Sequence, residues 1–199
     1  METSNLSLEE YISSPQGIGL DFVIGSERIA LEFLKLTRRR SNLLFTKWWI
    51  FKKIGRLLIE DGRIRNFKLC LDMTLRSRAF MRDEGEIHIS LGLLLSRSSW
   101  TMLPLYVHEL SHMWLSGRED YGRIKELQRK FREKYAGSVY CERMSPIEVY
   151  ADLLTIGILK ELHSYASGIS RNRILRMIIE REARLTLLLG ELSKLRDAN

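Results

Sequence analysis

The chain has 199 residues, 45% of them hydrophobic and 29% charged, with a formal net charge of +7, which suits one domain with a sizeable core and excludes a disordered chain. No uncharged apolar run approaches the roughly 18 residues of a membrane span, and the polar, acidic stretch Met1 to Glu10 has no secretory h-region. Cys70 and Cys141 are far apart and lack CxxC spacing, so the expectation is a soluble, cytoplasmic protein with neither a disulfide framework nor a cysteine zinc site.

Ser7 to Ser13 reads as a short helix, and Pro15, Gly17 and Gly19 predict a loop after it. Ser26 is a candidate cap for a second helix bearing Ile29, Leu31, Phe33, Leu34 and Leu36. A third is expected from about Asn42 to Glu60, stopped by Asp61-Gly62, with Trp49, Ile50, Ile54, Leu57 and Leu58 at core spacing. Basic residues gather here: Arg38, Arg39, Arg40, Lys47, Lys52, Lys53 and Arg56 are interleaved with Trp48, Trp49 and Phe51. Such a segment suits nucleic acid or an anionic membrane surface. The favoured reading is an amphipathic helix whose basic side chains snorkel.

The period then shortens. Phe67, Leu69 and Leu71 alternate with Lys68, Cys70 and Asp72, predicting a half-buried strand. Arg78 to Arg82 is a second candidate strand, Asp83-Glu84-Gly85 a turn, and Glu86-Ile87-His88-Ile89-Ser90 a third strand, together an expected antiparallel meander. Leu91 to Leu95 either closes that strand or starts a short helix.

Ser98 to Gly117 is the expected central helix, with Thr101 as N-cap, Pro104 in the first turn and Leu103, Val107, Leu110 and Trp114 as its apolar stripe. Within this helix His108-Glu109-Leu110-Ser111-His112 is an HExxH motif, and its two histidines lie off that stripe. Residues at i and i+4 share a helix face, so both imidazoles can reach one Zn²⁺. Glu109 lies beside the same face without ligating, placed to take a proton from a zinc-activated water as it attacks a carbonyl. Two plain readings compete with this: solvated polar residues on a helix surface, and a zinc ion that only staples helices.

Arg118 to Tyr135 is charge-dense, with Ile124, Leu127, Phe131 and Tyr135 at helical intervals, and Ala136-Gly137-Ser138 breaks it. Ser145, Pro146 and Glu148 form an S-x-x-E capping box with proline at N1, so a helix is expected to start there and run to about Tyr165. A last amphipathic helix spans roughly Ser170 to Leu195, with Ile174, Ile178, Leu185, Leu188, Leu189 and Leu192 inward.

A catalytic zinc needs three protein ligands. Besides the motif the chain has only His88 and His163 and its downstream acids. Glu148 stands out because Asp152 follows one turn later; one carboxylate can bind zinc while the other orients a liganding histidine. The competing job for Glu148 is to cap its own helix.

With these residues in hand, the chain resembles the zincin metallopeptidases, in particular the gluzincin branch, which carries HExxH on one helix and a glutamate, often as ExxxD, on a later one. The matching residues are His108, Glu109, His112, Glu148 and Asp152, within the span Glu86 to Asp152. The resemblance implies zinc held by His108, His112 and Glu148, Glu109 as general base, and Asp152 as the partner of His108. It also implies a small sheet whose edge strand binds a peptide or protein substrate, for which Glu86, Ile87, His88, Ile89 and Ser90 are the candidates. Compact minigluzincins and the phage-immunity or stress-regulator type are the similar small members. The gap from His112 to Glu148 is longer than in the most compact gluzincins, and Leu115 and Arg118 stand where metzincins have glycine and a third histidine.

A hydrolase of this kind also wants an oxyanion donor, and His163, Tyr150, Tyr165 and Tyr140 are candidates. The whole predicts one mostly helical α+β zincin-like domain over 1–199. In it, 1–62 forms N-terminal helices, 66–117 a small antiparallel or mixed sheet with the HExxH helix, and 118–199 a helical part supplying the third ligand. The alternative is a metal-holding regulatory protein with little or no proteolysis that contacts nucleic acid through Arg38 to Arg56.

Overall fold

The computed structural model describes residues 7–13, 24–38, 43–74, 79–81, 85–95, 102–136 and 141–197. The expected loop at Pro15, Gly17 and Gly19, the cap Thr101, the turn residues Asp83 and Glu84, and Arg39, Arg40 and Tyr140 lie outside them. Helices α1 (Leu8–Ser13), α2 (Glu27–Lys35) and α3 (Leu44–Glu60) precede strands β1 (Lys68–Asp72), β2 (Ala79–Met81) and β3 (Glu86–Ser90). β3 runs into α4 (Leu91–Leu95), then come α5 (Met102–Ser116), α6 (Tyr121–Lys134), α7 (Pro146–Tyr165) and α8 (Gly168–Asp197). The architecture is α+β and mostly helical. The open choice at Leu91 to Leu95 resolves as helix because Ser90 Oγ accepts the Leu93 N–H at 3.1 Å, capping the first turn.

The sheet is mixed and its strand order is β1-β3-β2, not a meander. β1 pairs parallel with β3, setting Cys70 opposite His88, and β2 pairs antiparallel with β3, setting Phe80 opposite His88. The expectation that Glu86, Ile87, His88, Ile89 and Ser90 form the free edge is therefore corrected: this strand is central and paired on both sides. The burial pattern accounts for it. Ile87 and Ile89 are fully buried, whereas β1 and β2 carry only half-buried and exposed positions, so the most apolar strand takes the middle.

The buried side chains form two clusters. One joins α2, α3, β3, α4, most of α5, the second half of α7 and the start of α8. The other joins α1, α6, the first half of α7, Leu115 at the end of α5, and Leu185, Leu188 and Leu192 of α8. Helices α5, α7 and α8 belong to both. Among the described residues no helix is long and apolar enough to cross a membrane.

The basic segment is not one continuous surface. Lys47 is fully buried and its Nζ donates to the Leu94 carbonyl at 3.0 Å, so it offers no charge to a partner. Trp49, expected inward, is exposed, with Lys53 Nζ 5.0 Å from its ring centroid. Glu32 is buried between Lys35 at 2.6 Å and Lys53 at 2.7 Å. Burial works against its charge, but the two ammonium groups prevail and hold its carboxyl below the usual 4.5. A depressed carboxyl adds stability above its unfolded pKa and loses it as pH falls through the folded value. Glu32→Gln is therefore expected to cost about 1 kcal/mol at neutral pH, discounted because both lysines are partly solvated. That deficit shrinks as pH drops below 4.5, which urea melts of both proteins at several pH values measure.

Candidate metal centre

Helices α5 and α7 meet along a seam of small hydroxyl residues. Ser111 Oγ lies 3.4 Å from Thr155 Oγ1, and each also donates to a carbonyl of its own helix, Val107 and Ala151. These short side chains satisfy their polar atoms locally, so the helices approach without leaving a buried group unpaired. His108 and His112 flank Ser111 on α5. Asp152 and Glu148 lie one and two turns before Thr155 on α7.

The result is a convergence of three ligand atoms. His108 Nε2 lies 3.1 Å from His112 Nε2 and 3.2 Å from Glu148 Oε2, and His112 Nε2 lies 3.5 Å from Glu148 Oε1. Bonds of about 2.0–2.1 Å at a tetrahedral angle would set ligand atoms roughly 3.3 Å apart, so this spacing fits a zinc-sized cation. Two ring nitrogens facing each other at 3.1 Å share at most one proton; a cation between them satisfies both lone pairs. The donor set of two imidazoles and a carboxylate suits zinc and its neighbours. Glu148 is 40% exposed while the histidine side chains are 11% and 7% exposed, so the cluster opens to solvent on the glutamate side.

Glu148 does not close the expected capping box. The helix still starts at Pro146 in the N1 position, but Ser145 makes no side-chain cap bond and its N–H donates to the Glu142 carbonyl at 3.3 Å. The Glu148 carboxylate is thereby free to face the histidines.

Asp152 stands behind His108, with Oδ1 3.0 Å from Nδ1 in ion-pair range, though short of the alignment of a full hydrogen bond. Arg181 of α8 donates Nη1 to Asp152 Oδ1 at 2.6 Å and Nη2 to the Pro104 carbonyl at 3.3 Å. The sequence carries a signal for Arg181. This residue falls on the stripe of Ile174, Ile178 and Leu185 at helical spacing, a charge at a core-facing position.

The titration behaviour follows from burial and these neighbours. Burial disfavours charge on His108, but Asp152 and Glu148 outweigh it and carry its pKa to about 9. For His112 burial and the adjacent His108 act together and lower it to about 4, which leaves the neutral ring that metal binding requires. Burial, reinforced by Glu148, raises Glu109 to about 7, against the pull of His108, the Met81 N–H and Arg181. That N–H belongs to β2, the strand at the sheet edge packed against α5.

Three of the expected oxyanion donors lie elsewhere. His163 follows Glu148 by fifteen helical residues, about 22 Å along the axis of α7, and Tyr165 is farther still. Tyr150 is fully buried in the second core cluster, its ring 5.8 Å from that of Tyr11, because two residues of helix turn it away from Glu148. His88 sits in β3, stacked on Phe80, and is no part of this cluster.

The chain matches no family model, no curated protein and no solved structure in comparisons with each. The chemistry therefore rests on the side chains themselves. Removing the carboxylate behind a liganding histidine typically costs 10–100-fold in metal affinity. Asp152→Asn is expected to lower zinc affinity by about that factor, read by competition with a chelator of known affinity.

Proposed function

We propose that this chain is a zinc-dependent peptidase of zincin type, with His108, His112 and Glu148 as zinc ligands and Glu109 as general base. The observation that carries the reading is the pairing of a converged His-His-Glu ligand set with an adjacent buried carboxyl whose pKa is near 7. A bound zinc ion would supply Lewis acidity, polarising the scissile carbonyl and making water acidic near neutrality. Glu109, titrating close to working pH, is matched to accept the proton of the attacking water and pass it to the departing amine. Asp152, held ionised against its burial by His108 and then by Arg181, keeps the His108 ring oriented.

The edge strand β2 supports a peptide as substrate. It is an edge strand packed against α5, and its Met81 N–H reaches Glu109, so an extended chain adding to that edge would pass beside the base. Gluzincin membership is part of this proposal, supported by the spacing of His108, His112, Glu148 and Asp152. The two free cysteines, Cys70 and Cys141, support the reading that it works in the reducing cytoplasm.

Glu109→Gln removes the base while keeping the shape of the side chain. Peptide hydrolysis is expected to fall by about 10²–10⁴-fold, the usual weight of a general base, with zinc content unchanged. A peptide-library assay with metal analysis of both proteins checks this. Hydrolysis that survives the substitution would overturn the assignment of Glu109, and a zinc-loaded wild type that cuts nothing would favour the regulatory reading.

A further inference from the structure

We propose that the outward face of the sheet carries a second metal site, formed by Cys70, Glu86 and His88, which takes a thiophilic divalent cation of the zinc class. It shares no residue with the α5–α7 cluster and does not depend on the peptidase reading.

Strand geometry builds the site. Ile87 and Ile89 are fully buried toward the core, so alternation sends Glu86 and His88 to the other face of β3. The parallel register sets Cys70 of β1 directly opposite His88, on that same outward face. One ligand atom from each of Cys70, Glu86 and His88 lies within 4.8 Å of the others. Bonds of about 2.3 Å to sulfur and 2.0–2.2 Å to nitrogen and oxygen put ligand atoms roughly 3.3–3.7 Å apart. Small side-chain rotations close that difference without moving a paired backbone.

The groups are already arranged for it. His88 Nε2 lies 3.1 Å from Glu86 Oε2, so two of the three donors face each other. Phe80, opposite His88 on the other side, stacks on the imidazole with centroids 5.1 Å apart and planes inclined by 17°, which fixes the ring plane. All three residues are half-buried, shielded enough to strengthen a thiolate–metal bond and open enough for a cation to enter. The competing contact is weak: Lys68 Nζ is 3.4 Å from Glu86 Oε1 and 73% exposed, and such a surface pair is readily displaced by a doubly charged ion. A thiolate, an imidazole and a carboxylate together select zinc-like ions over the hard cations magnesium and calcium, which prefer oxygen alone. Three protein ligands leave the fourth position to water, and the metal would staple β1 to β3.

Cobalt(II) distinguishes this site from the helical one, because only a thiolate ligand gives sulfur-to-cobalt charge transfer in the near ultraviolet. The full chain, stripped of metal and titrated with cobalt, is expected to show that band. Cys70→Ser should abolish it and bind one equivalent less, while Cys141→Ser and His108→Ala should retain it. On the unsubstituted chain, zinc at ten times its dissociation constant should slow iodoacetamide alkylation of Cys70 by about tenfold and leave Cys141 unaffected. This second measurement stands even if Cys70→Ser folds poorly. No charge-transfer band in wild type, a band that survives Cys70→Ser, or alkylation of Cys70 indifferent to zinc would each overturn the proposal.

Discussion

The contact between α5 and α7 is the constraint on which the rest of the candidate site depends. HExxH alone places two imidazoles on a helix; it takes a second helix, at a fixed depth and register, to complete a ligand set. Ser111 and Thr155 set both. Each ties its hydroxyl to its own helix and is small enough for the helices to pass closely, bringing Glu148 to within 3.2 Å of His108 and Asp152 to within 3.0 Å. A larger residue at either position would separate the donors by more than side-chain rotation can recover, since both helices are packed on their far sides as well.

Charge is the second constraint. His108, His112, Glu109 and Asp152 are all buried, a grouping that would be costly if each group bore its usual charge in isolation. The structure meets that cost by dividing the charges. Arg181 neutralises Asp152, His112 stays uncharged, and Glu109 is raised toward neutrality. What is left is the pull of Asp152 and Glu148 for positive charge at His108, expressed as its pKa near 9. A proton can satisfy that pull, and so can a metal cation. The same carboxylate contacts that hold a proton on His108 would hold a cation there once the ring gives that proton up.

Much of this was legible in the chain itself. The HExxH spacing, the proline-led start of α7 at Pro146 and the alternation in β1 and β3 each report a local rule, and each element formed close to where its pattern placed it. Glu148 is ambiguous in the sequence because capping and ligation call for the same residue; the structure shows no side-chain cap bond at Ser145 and sets the carboxylate beside the histidines. The strand order was hidden for a similar reason. Alternation tells which residues share a face and not which strand lies in the middle, so Glu86 to Ser90 read as an edge when the buried pair Ile87 and Ile89 made it the centre. Residue type alone points to His163 and Tyr150; along one helix, distance and angle from Glu148 place them away from the His108, His112 and Glu148 cluster.

Where the two core clusters meet explains why the site sits where it does. The first half of α7, with Val149, Tyr150, Ala151 and Leu154, packs into one cluster, and Ile158, Leu159 and Leu162 pack into the other. Glu148 and Asp152 lie on the first half, and α5 bridges the same two clusters through Leu110 and Leu115. A polar cluster inside either core would displace apolar contacts it cannot replace, whereas at their junction the histidines keep apolar support on both sides and the glutamate keeps an opening to solvent. The same placement couples the ligand set to both cores. Loosening either one would shift α7 along α5 and pull the carboxylates from the imidazoles, so the geometry of the site reports on the packing of the whole helical assembly.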